Sequence, residues 1–329
     1  MSVTYKQVSI SLRSRFWVLV IRLVLKPMMR MLALRSVRSL VREHVRLAAQ
    51  PPRPGGLPCE YRIIGRVPGP VLGDLGNPDQ VALLYLHGGG FVIPAVPSVH
   101  LPWMAQLCRA LGAVGFMPDY RLAPFHRYPA ALDDCERAYR GLLELGFAAH
   151  RIVVAGESAG GNLTLGLLQR IRRSGLPMPA CAVPISPVTE MARVHAPPAR
   201  VTNIRRDAML PLHSFGRMLQ LYADGLDGSD PELSPLYADY RGLPPLYFVV
   251  GETEILLDDS LLAARQALAA GVDARVDVWP VLPHAFPLFR FMFPEVRQAR
   301  EDIVAFMREQ LARAEPRPAP VPAAVAALA

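Results

Sequence analysis

The chain has 329 residues, of which 51% are hydrophobic and 19% are charged, and its net charge is +8. This composition is typical of a globular protein with a large core, and it excludes collagen-like, coiled-coil and wholly disordered chains. Ten basic residues against one acid, Glu43, lie within residues 1–50, so the high pI reflects that segment and gives no support for nucleic-acid binding.

Residues 1–50 predict two amphipathic helices with basic faces. The apolar run 16–25 contains Arg22 and precedes Pro27, and it is about half the ~20 residues that span a bilayer. No small-residue cleavage site follows, so a signal peptide is not expected. Basic residues recur at helical spacing and form one face of each helix: Arg22, Lys26, Arg30, Arg35, Arg38, Arg42 and Arg46. Apolar residues of the second helix lie on a different face: Leu34, Val37, Val41 and Val45. The sequence leaves two interpretations open: a cap packed on the rest of the chain, or a cap that also contacts an anionic membrane surface.

From residue 59 onward, apolar runs alternate with helical patterns. Predicted strands are 59–64, 81–86, 113–118, 152–155, 181–185, 246–250 and 274–279. Predicted helices are 98–112, 130–145, 159–173, 258–270 and 295–313. This alternation indicates an α/β fold with a mostly parallel sheet of about eight strands and helices on both faces.

Two stretches break the alternation. Residues 188–233 are rich in Pro, Arg and Met, which predicts an insertion that contributes to a cap. The sheet domain then comprises residues 51–187 and 234–314. Residues 315–329 form a Pro/Ala tail that is expected to be disordered.

Ser158 lies in Gly156-Glu157-Ser158-Ala159-Gly160, directly after a predicted strand. Glycines two residues before and after the serine allow a sharp strand-to-helix turn, which would expose the hydroxyl at the carboxyl end of the sheet. The motif alone is weak, but its position between a strand and a helix favours a nucleophile over a structural turn.

A second element, His87-Gly88-Gly89-Gly90, follows the strand 81–86. A run without side chains lets backbone N–H groups approach the oxyanion that forms when a hydroxyl attacks an ester. His87 itself is expected to hold the loop. A phosphate-binding loop is not favoured, because neither a following Lys-Ser/Thr nor the G-x-G-x-x-G spacing is present.

A serine nucleophile needs a base that is oriented by an acid. Of eight histidines, only His284 follows the late strand 274–279, so it is the predicted base. The predicted acid is Glu254, which follows the strand 246–250, with Glu252 and Asp258 as the alternatives. Asp258 or Asp259 also fits a helix N-cap.

Four scattered cysteines, Cys59, Cys108, Cys135 and Cys181, show no C-x-x-C spacing. They predict neither a zinc site nor a disulfide scaffold. Free thiols fit a reducing compartment, so a cytoplasmic location is expected.

Together these motifs resemble the hormone-sensitive-lipase-like α/β-hydrolases, the bacterial carboxylesterases related to arylacetamide deacetylase. The resemblance spans about residues 59–312. Besides the two glycine motifs, it includes Asp119-Tyr120-Arg121-Leu122-Ala123-Pro124, Tyr128-Pro129-Ala130, Glu254-x-Leu256-x-Asp258 and His284-x-Phe286.

The resemblance implies that Gly89, Gly90 and Ala159 donate their N–H groups to the oxyanion, with Gly88 as a further candidate. It also implies a cap that is built from residues 1–50 and 188–233. Three positions depart from the family: Glu254 where Asp is usual, Phe125 where Glu is common, and Ala285 where Gly is usual.

The predicted activity is hydrolysis of short- to medium-chain acyl esters through an acyl-enzyme, without metal or cofactor. N-acyl deacylation on the same triad and a peripheral membrane lipase are the alternatives. A non-catalytic receptor is disfavoured, since receptors of this family have lost the histidine. A homodimer is left open.

Overall fold

The computed structural model describes residues 2–33, 36–193 and 195–315. The described residues form one nine-stranded sheet in the order β1-β9-β8-β7-β6-β4-β5-β3-β2. Along this spatial order, every neighbouring pair from β1 through β9, β8, β7, β6 and β4 to β5 is parallel. The last two pairs, β5 with β3 and β3 with β2, are antiparallel. The strands are Ser2–Tyr5 (β1), Cys59–Ile64 (β2), Val67–Leu72 (β3), Val81–Leu86 (β4), Ala113–Phe116 (β5), Ile152–Glu157 (β6), Cys181–Ile185 (β7), Leu246–Gly251 (β8) and Ala274–Trp279 (β9).

Helices cover both faces of the sheet and bury a core on each side. The α-helices are Leu12–Val20 (α1), Lys26–Ala33 (α2), Val37–Ala48 (α3), Pro97–Leu111 (α4), Ala130–Glu144 (α5), Ala159–Arg173 (α6), Ala199–Thr202 (α7), Leu212–Ala223 (α8), Leu257–Ala269 (α9) and Val296–Ala314 (α10). One core layer holds apolar residues of α5, α6, α8 and α9, and the other those of α4 and α10. Strand β6 is buried along its whole length, as its continuous apolar run predicts.

The predicted α/β architecture is confirmed, with nine strands where about eight were expected. Strand β3 was missed because Pro68, Gly69 and Pro70 weaken a strand pattern. The backbone of β3 passes close to Met117, the residue after β5: a Cβ on Gly69 would lie 2.3 Å from the Met117 carbonyl oxygen. The short strand β1 was also missed; it pairs with β9 at the edge of the sheet.

The N-terminal segment is mostly helical. Between α1 and α2, residues Ile21–Leu25 form a π-helical turn, so one uninterrupted helical stretch runs from residue 12 to 33. Pro27 therefore does not end the first helix; it lies two residues after the π-helical turn, as the second residue of α2. Leu34 and Arg35, which were predicted on the apolar and basic helix faces, lie outside the described residues.

Residues between β7 and β8 contain α7 and α8, in the stretch that was predicted as an insertion. The Pro/Ala tail lies beyond the described residues except for Glu315. Within the described ranges, no helix is both long enough and apolar enough to cross a bilayer.

Candidate active site

The predicted site residues all follow strands of the parallel part of the sheet. The glycine run 88–90 follows β4, Ser158 follows β6, Glu254 follows β8 and His284 follows β9. Parallel strands have their carboxyl ends at the same edge, which is where ligands bind in open α/β sheets. The topology therefore places all four elements on one rim of the sheet.

Ser158 occupies a strained turn between β6 and α6. Its backbone angles are φ +57° and ψ −118°, which a residue with a side chain rarely adopts. A Cβ on Gly160 would lie 1.9 Å from the Leu86 carbonyl oxygen, and one on Gly156 would lie 2.5 Å from the Gly160 oxygen. The two glycines therefore let α6 begin directly against β4, with the partly exposed Ser158 at its N-terminus.

His284 and Glu254 form a buried pair. The Nδ1 atom of His284 lies 2.7 Å from Glu254 Oε2, and the two residues are 4% and 0% exposed. The other oxygen of Glu254 accepts from the Gly251 N–H at 2.5 Å and the Ser186 hydroxyl at 2.8 Å. A carboxylate fixed in this way favours a proton on Nδ1, which leaves Nε2 of the neutral ring as an acceptor.

The charge of this pair affects the protonation of His284. Burial of the imidazole opposes protonation, but the hydrogen bond and the negative charge of Glu254 outweigh burial and raise the pKa of His284 above 6.5.

The contact between Ser158 and His284 is not formed in this structure. Among the described residues, no hydrogen bond joins the Ser158 hydroxyl to the His284 ring. Such contacts are often long in the absence of substrate and shorten when it binds.

The glycine run supplies free backbone donors beside Ser158. The Gly88 N–H donates to Glu157 Oε1, so it is already used inside the protein. Of the hydrogen bonds formed within the described part of the chain, none uses the N–H groups of Gly89, Gly90 or Ala159. Gly89 and Gly90 have φ values of +118° and +62°, which suit glycine.

Glu157 holds the glycine run 88–90 in place through its hydrogen bond with the Gly88 N–H. Its carboxylate also accepts from the Tyr85 hydroxyl at 2.5 Å and lies 2.9 Å from His100 Nε2. Burial raises the pKa of Glu157, but the charge of His100 and the hydrogen bonds outweigh it and keep that pKa below 4.5. In the sequence, the identity of Glu157 alone indicates no mechanism, and His100 was missed.

His87 has the structural role that was expected. Its ring stacks on Tyr120 with centroids 4.3 Å apart, and Nδ1 lies 2.7 Å from the Gly88 carbonyl oxygen. Burial and the nearby charge of His100 lower the pKa of His87 to about 4, so the ring stays neutral.

The alternative acids occupy other positions. The half-exposed Glu252 lies 3.3 Å from an Arg206 nitrogen, and Asp258 accepts from the Ala199 N–H at 2.7 Å. The N-cap prediction for Asp258 or Asp259 is wrong, because Leu256 is the cap residue. The two acids instead attach residues of the insertion; Asp259 forms a fully buried ion pair with Arg200 at 2.5 Å.

Three polar residues that hydrogen-bond to Glu254 or to its neighbour Ile255 were not predicted from the sequence. Ser186 bonds to Glu254, Asn203 donates to the Glu254 carbonyl at 2.9 Å, and Asp207 accepts from the Ile255 N–H at 2.8 Å. Ser186 directly follows β7, so the rule that strand ends meet at one rim could have found it. Asn203 and Asp207 lie in the insertion, where no pattern indicated them.

One departure from the family has a visible local consequence. Ala285 adopts φ +52° and ψ +31°, the left-handed conformation that favours glycine. An alanine there costs about 1 kcal/mol. Phe125 is 60% exposed and takes no part in the pair formed by Glu254 and His284.

An apolar cleft opens over Ser158. It encloses about 870 Å³, part of it open to solvent. Its walls include Phe215, Met218 and Leu221 of α8, Met29 of α2 and Leu40 of α3; the remaining lining residues are Gly90, Phe91, Val92, Ile93, Ser158, Val188, Met191, Leu210, Pro211, Ser214, Arg217, Leu219, Ile255 and Leu256.

Comparisons with known proteins agree with this geometry. A family model described as "alpha/beta hydrolase fold" matches residues 83–288. The acetyl-hydrolase of Streptomyces hygroscopicus is 38% identical over 230 residues, which are 70% of this chain and 76% of that protein. The carboxylesterase/phospholipase LipF of Mycobacterium tuberculosis is 34% identical over 320 residues, which are 92% of this chain and 83% of that protein. The crystal structure of an esterase from the bacterial hormone-sensitive lipase family superposes with a TM-score of 0.80 at 33% identity, covering 92% of this chain and 100% of that one.

The chain belongs to the α/β-hydrolase family, in its hormone-sensitive-lipase-like branch. The resemblance that the sequence motifs indicated is confirmed, and so is the expected class of enzyme, a serine esterase.

Proposed function

We propose that this protein hydrolyses carboxylic esters through an acyl-enzyme on Ser158, with His284 as the base and Glu254 as the acid that orients it. The observation that carries the proposal is the buried hydrogen bond of 2.7 Å between Glu254 and His284, on the same rim of the sheet as Ser158. Purified protein should release p-nitrophenol from short p-nitrophenyl esters, with the acylated serine as an intermediate.

Acylation begins when the Ser158 oxygen attacks the ester carbonyl carbon and His284 Nε2 takes the hydroxyl proton. Glu254 stabilises the imidazolium without itself being protonated. The tetrahedral intermediate collapses as His284 gives the proton to the leaving alcohol. Water then attacks the acyl-enzyme by the same route, which releases the acid and restores Ser158.

The oxyanion of both intermediates would be held by the N–H groups of Gly89, Gly90 and Ala159. These donors are not used by other described groups, and two of them belong to a loop that Glu157 holds in place. The N-terminus of α6 adds a favourable dipole at the same point.

Replacing Gly89 with alanine tests the oxyanion loop. A Cβ there would lie 2.3 Å from the Ile93 carbonyl oxygen, so the loop must shift and its donors lose alignment. We expect kcat to fall by roughly 10²–10³-fold, the usual cost of one lost donor. Gly112→Ala is the matched control, because Gly112 also has positive φ (+62°) but open space around it. Equal losses in both variants would contradict the assignment.

The pH dependence of kcat/KM tests the base. Only neutral His284 can accept the serine proton, so activity is lost as pH falls through the pKa of His284. Because Glu254 raises that pKa, we expect the midpoint of the acidic limb above pH 6.5. A Glu254→Gln variant should move this limb to lower pH. A limb that stays in place would show that another group controls it.

The acyl chain would occupy the apolar cleft above Ser158. The cleft is lined almost entirely by apolar side chains, which supports binding of an acyl chain, and we propose short- to medium-chain acyl groups. Residues 1–50 and 188–233 both contribute walls, which supports the proposal that they form the cap. A chain-length series of p-nitrophenyl esters measures how far the cleft extends.

We also propose a cytoplasmic location and peripheral contact with an anionic membrane. Cys108, Cys135 and Cys181 are buried free thiols, which fits a reducing compartment. The basic residues of the N-terminal helices support attraction to anionic lipid headgroups.

A further inference from the structure

Large apolar side chains are exposed along one face of the helical stretch 12–33. Six of them define what we call the apolar seam, and each is more than half exposed: Leu12 84%, Phe16 59%, Leu19 52%, Leu23 66%, Met28 55% and Met31 65%. A contiguous exposed apolar patch of this kind marks a site of interaction with a protein or a membrane.

The π-helical turn keeps the seam on one face. From Leu12 to Leu23 the steps are four, three and four residues, which is α-helical spacing. The next step, from Leu23 to Met28, is five residues and crosses the turn Ile21–Leu25, where the backbone repeat is i to i+5. Without that turn, Met28 and Met31 would rotate away from the first four residues.

The opposite face already attaches this stretch to the protein. Val18 and Ile21 are buried in the core beside α4 and α10, and the Ser14 hydroxyl donates to Glu295 at 2.5 Å. The seam is therefore not the face that packs on the fold.

Basic residues flank the seam. Among the ion pairs formed by described residues, none includes Arg13, Arg15, Arg22 or Arg30. Lys26 interacts electrostatically with Asp207. Arg22, Lys26 and Arg30 line a surface cleft with His195 and His213, and no acidic residue is among the described residues that line it. This arrangement is complementary to anionic headgroups. A second copy of the chain is a poor occupant, because pairing two seams would bring these like charges together.

The same helix reaches the active site. Met29 lies between the seam residues Met28 and Met31 in sequence, yet it lines the cleft above Ser158. Leu40 of α3 lines the same cleft. One face of α2 therefore meets the acyl cleft while another face is exposed and apolar.

We propose that the apolar seam inserts into the interface of an anionic bilayer, so that α1 and α2 lie in the membrane plane and the acyl cleft opens beside lipid-like esters. The delivery of esters rests on the proposed function, whereas membrane binding by the seam does not require a working triad.

Binding is tested with full-length Ser158→Ala protein and vesicles of phosphatidylcholine with or without phosphatidylglycerol. We expect co-sedimentation with the anionic vesicles and much weaker binding to the neutral ones. Adding Leu19→Glu and Leu23→Glu should weaken binding at least about tenfold, since two apolar side chains no longer enter the interface. Ile63→Glu is the matched control, because Ile63 is 74% exposed on β2, at the opposite edge of the sheet from β1.

Three outcomes would overturn the proposal. The first is no binding to anionic vesicles, and the second is equal binding of the seam variant and the Ile63 control. The third is a lipid-free dimer that the seam variant converts to a monomer, which would make the seam a contact between copies. With Ser158 restored, the seam variant should hydrolyse p-nitrophenyl butyrate in lipid-free buffer at the wild-type rate, which separates failure of docking from failure of catalysis.

Discussion

Ser158→Ala is expected to lower kcat for short p-nitrophenyl esters by on the order of 10⁴–10⁶-fold, because it removes the hydroxyl on which the acyl-enzyme is proposed to form. Ser158 is partly exposed and lies at the end of β6, so its hydroxyl contributes little to packing. The variant should keep the wild-type unfolding temperature within a few degrees, as calorimetry can show.

Ser174→Ala is the matched control for this change, since Ser174 lies at the other end of the same helix, α6. It should retain wild-type turnover. Turnover by Ser158→Ala within tenfold of wild type would exclude the acyl-enzyme mechanism.

Glu254→Gln is expected to lower kcat by on the order of 10³–10⁴-fold while KM changes little. The Gly251 N–H and the Ser186 hydroxyl both donate to Oε1, so the amide oxygen of glutamine is held there. Its NH₂ group then points at His284 Nδ1, where it donates and forces the ring proton onto Nε2. That tautomer cannot accept the proton of Ser158.

Glu252→Gln is the control, because it is two residues away, half exposed and paired with Arg206. We expect less than a twofold change. Comparable losses in the two variants, or a larger loss for Glu252→Gln, would contradict Glu254 as the acid.

Much of the fold could be predicted because each inner strand is a short, continuous apolar run. Four predicted strands match the structure residue for residue: Cys59–Ile64, Val81–Leu86, Cys181–Ile185 and Ala274–Trp279. The predictions 246–250 and 152–155 end one and two residues early, and 113–118 ends two residues late. The two missed strands are β1, at one edge of the sheet, and β3, next to the other edge. Strand β3 has two prolines, and β1 has four residues whose place depends on pairing with β9, so neither has a local pattern.

The candidate site was predictable to the extent that it depends on strand ends. Ser158, the glycine run, Glu254 and His284 each follow a strand, and a parallel sheet brings such ends together. That Glu254 is long enough to reach His284 could not be known from sequence, because it depends on the turn 251–254 and on Ser186. The role of Glu157 depends on His100, which is 57 residues away and has no motif around it.

The apolar seam shows another limit of sequence patterns. A helical wheel with uniform spacing places Met28 and Met31 away from Leu12 and Leu19. The π-helical turn Ile21–Leu25 corrects this by one residue, and no local sequence pattern indicated that turn.

Labelling with a fluorophosphonate probe, followed by peptide mass spectrometry, tests the central claim most directly. The reagent phosphonylates a serine only where a base activates the hydroxyl and donors stabilise the oxyanion. We expect one phosphonyl group per chain, on the peptide that contains Ser158, and a rate of labelling that falls with Glu254→Gln. Labelling of a different serine, or none in protein that is folded, would contradict the account.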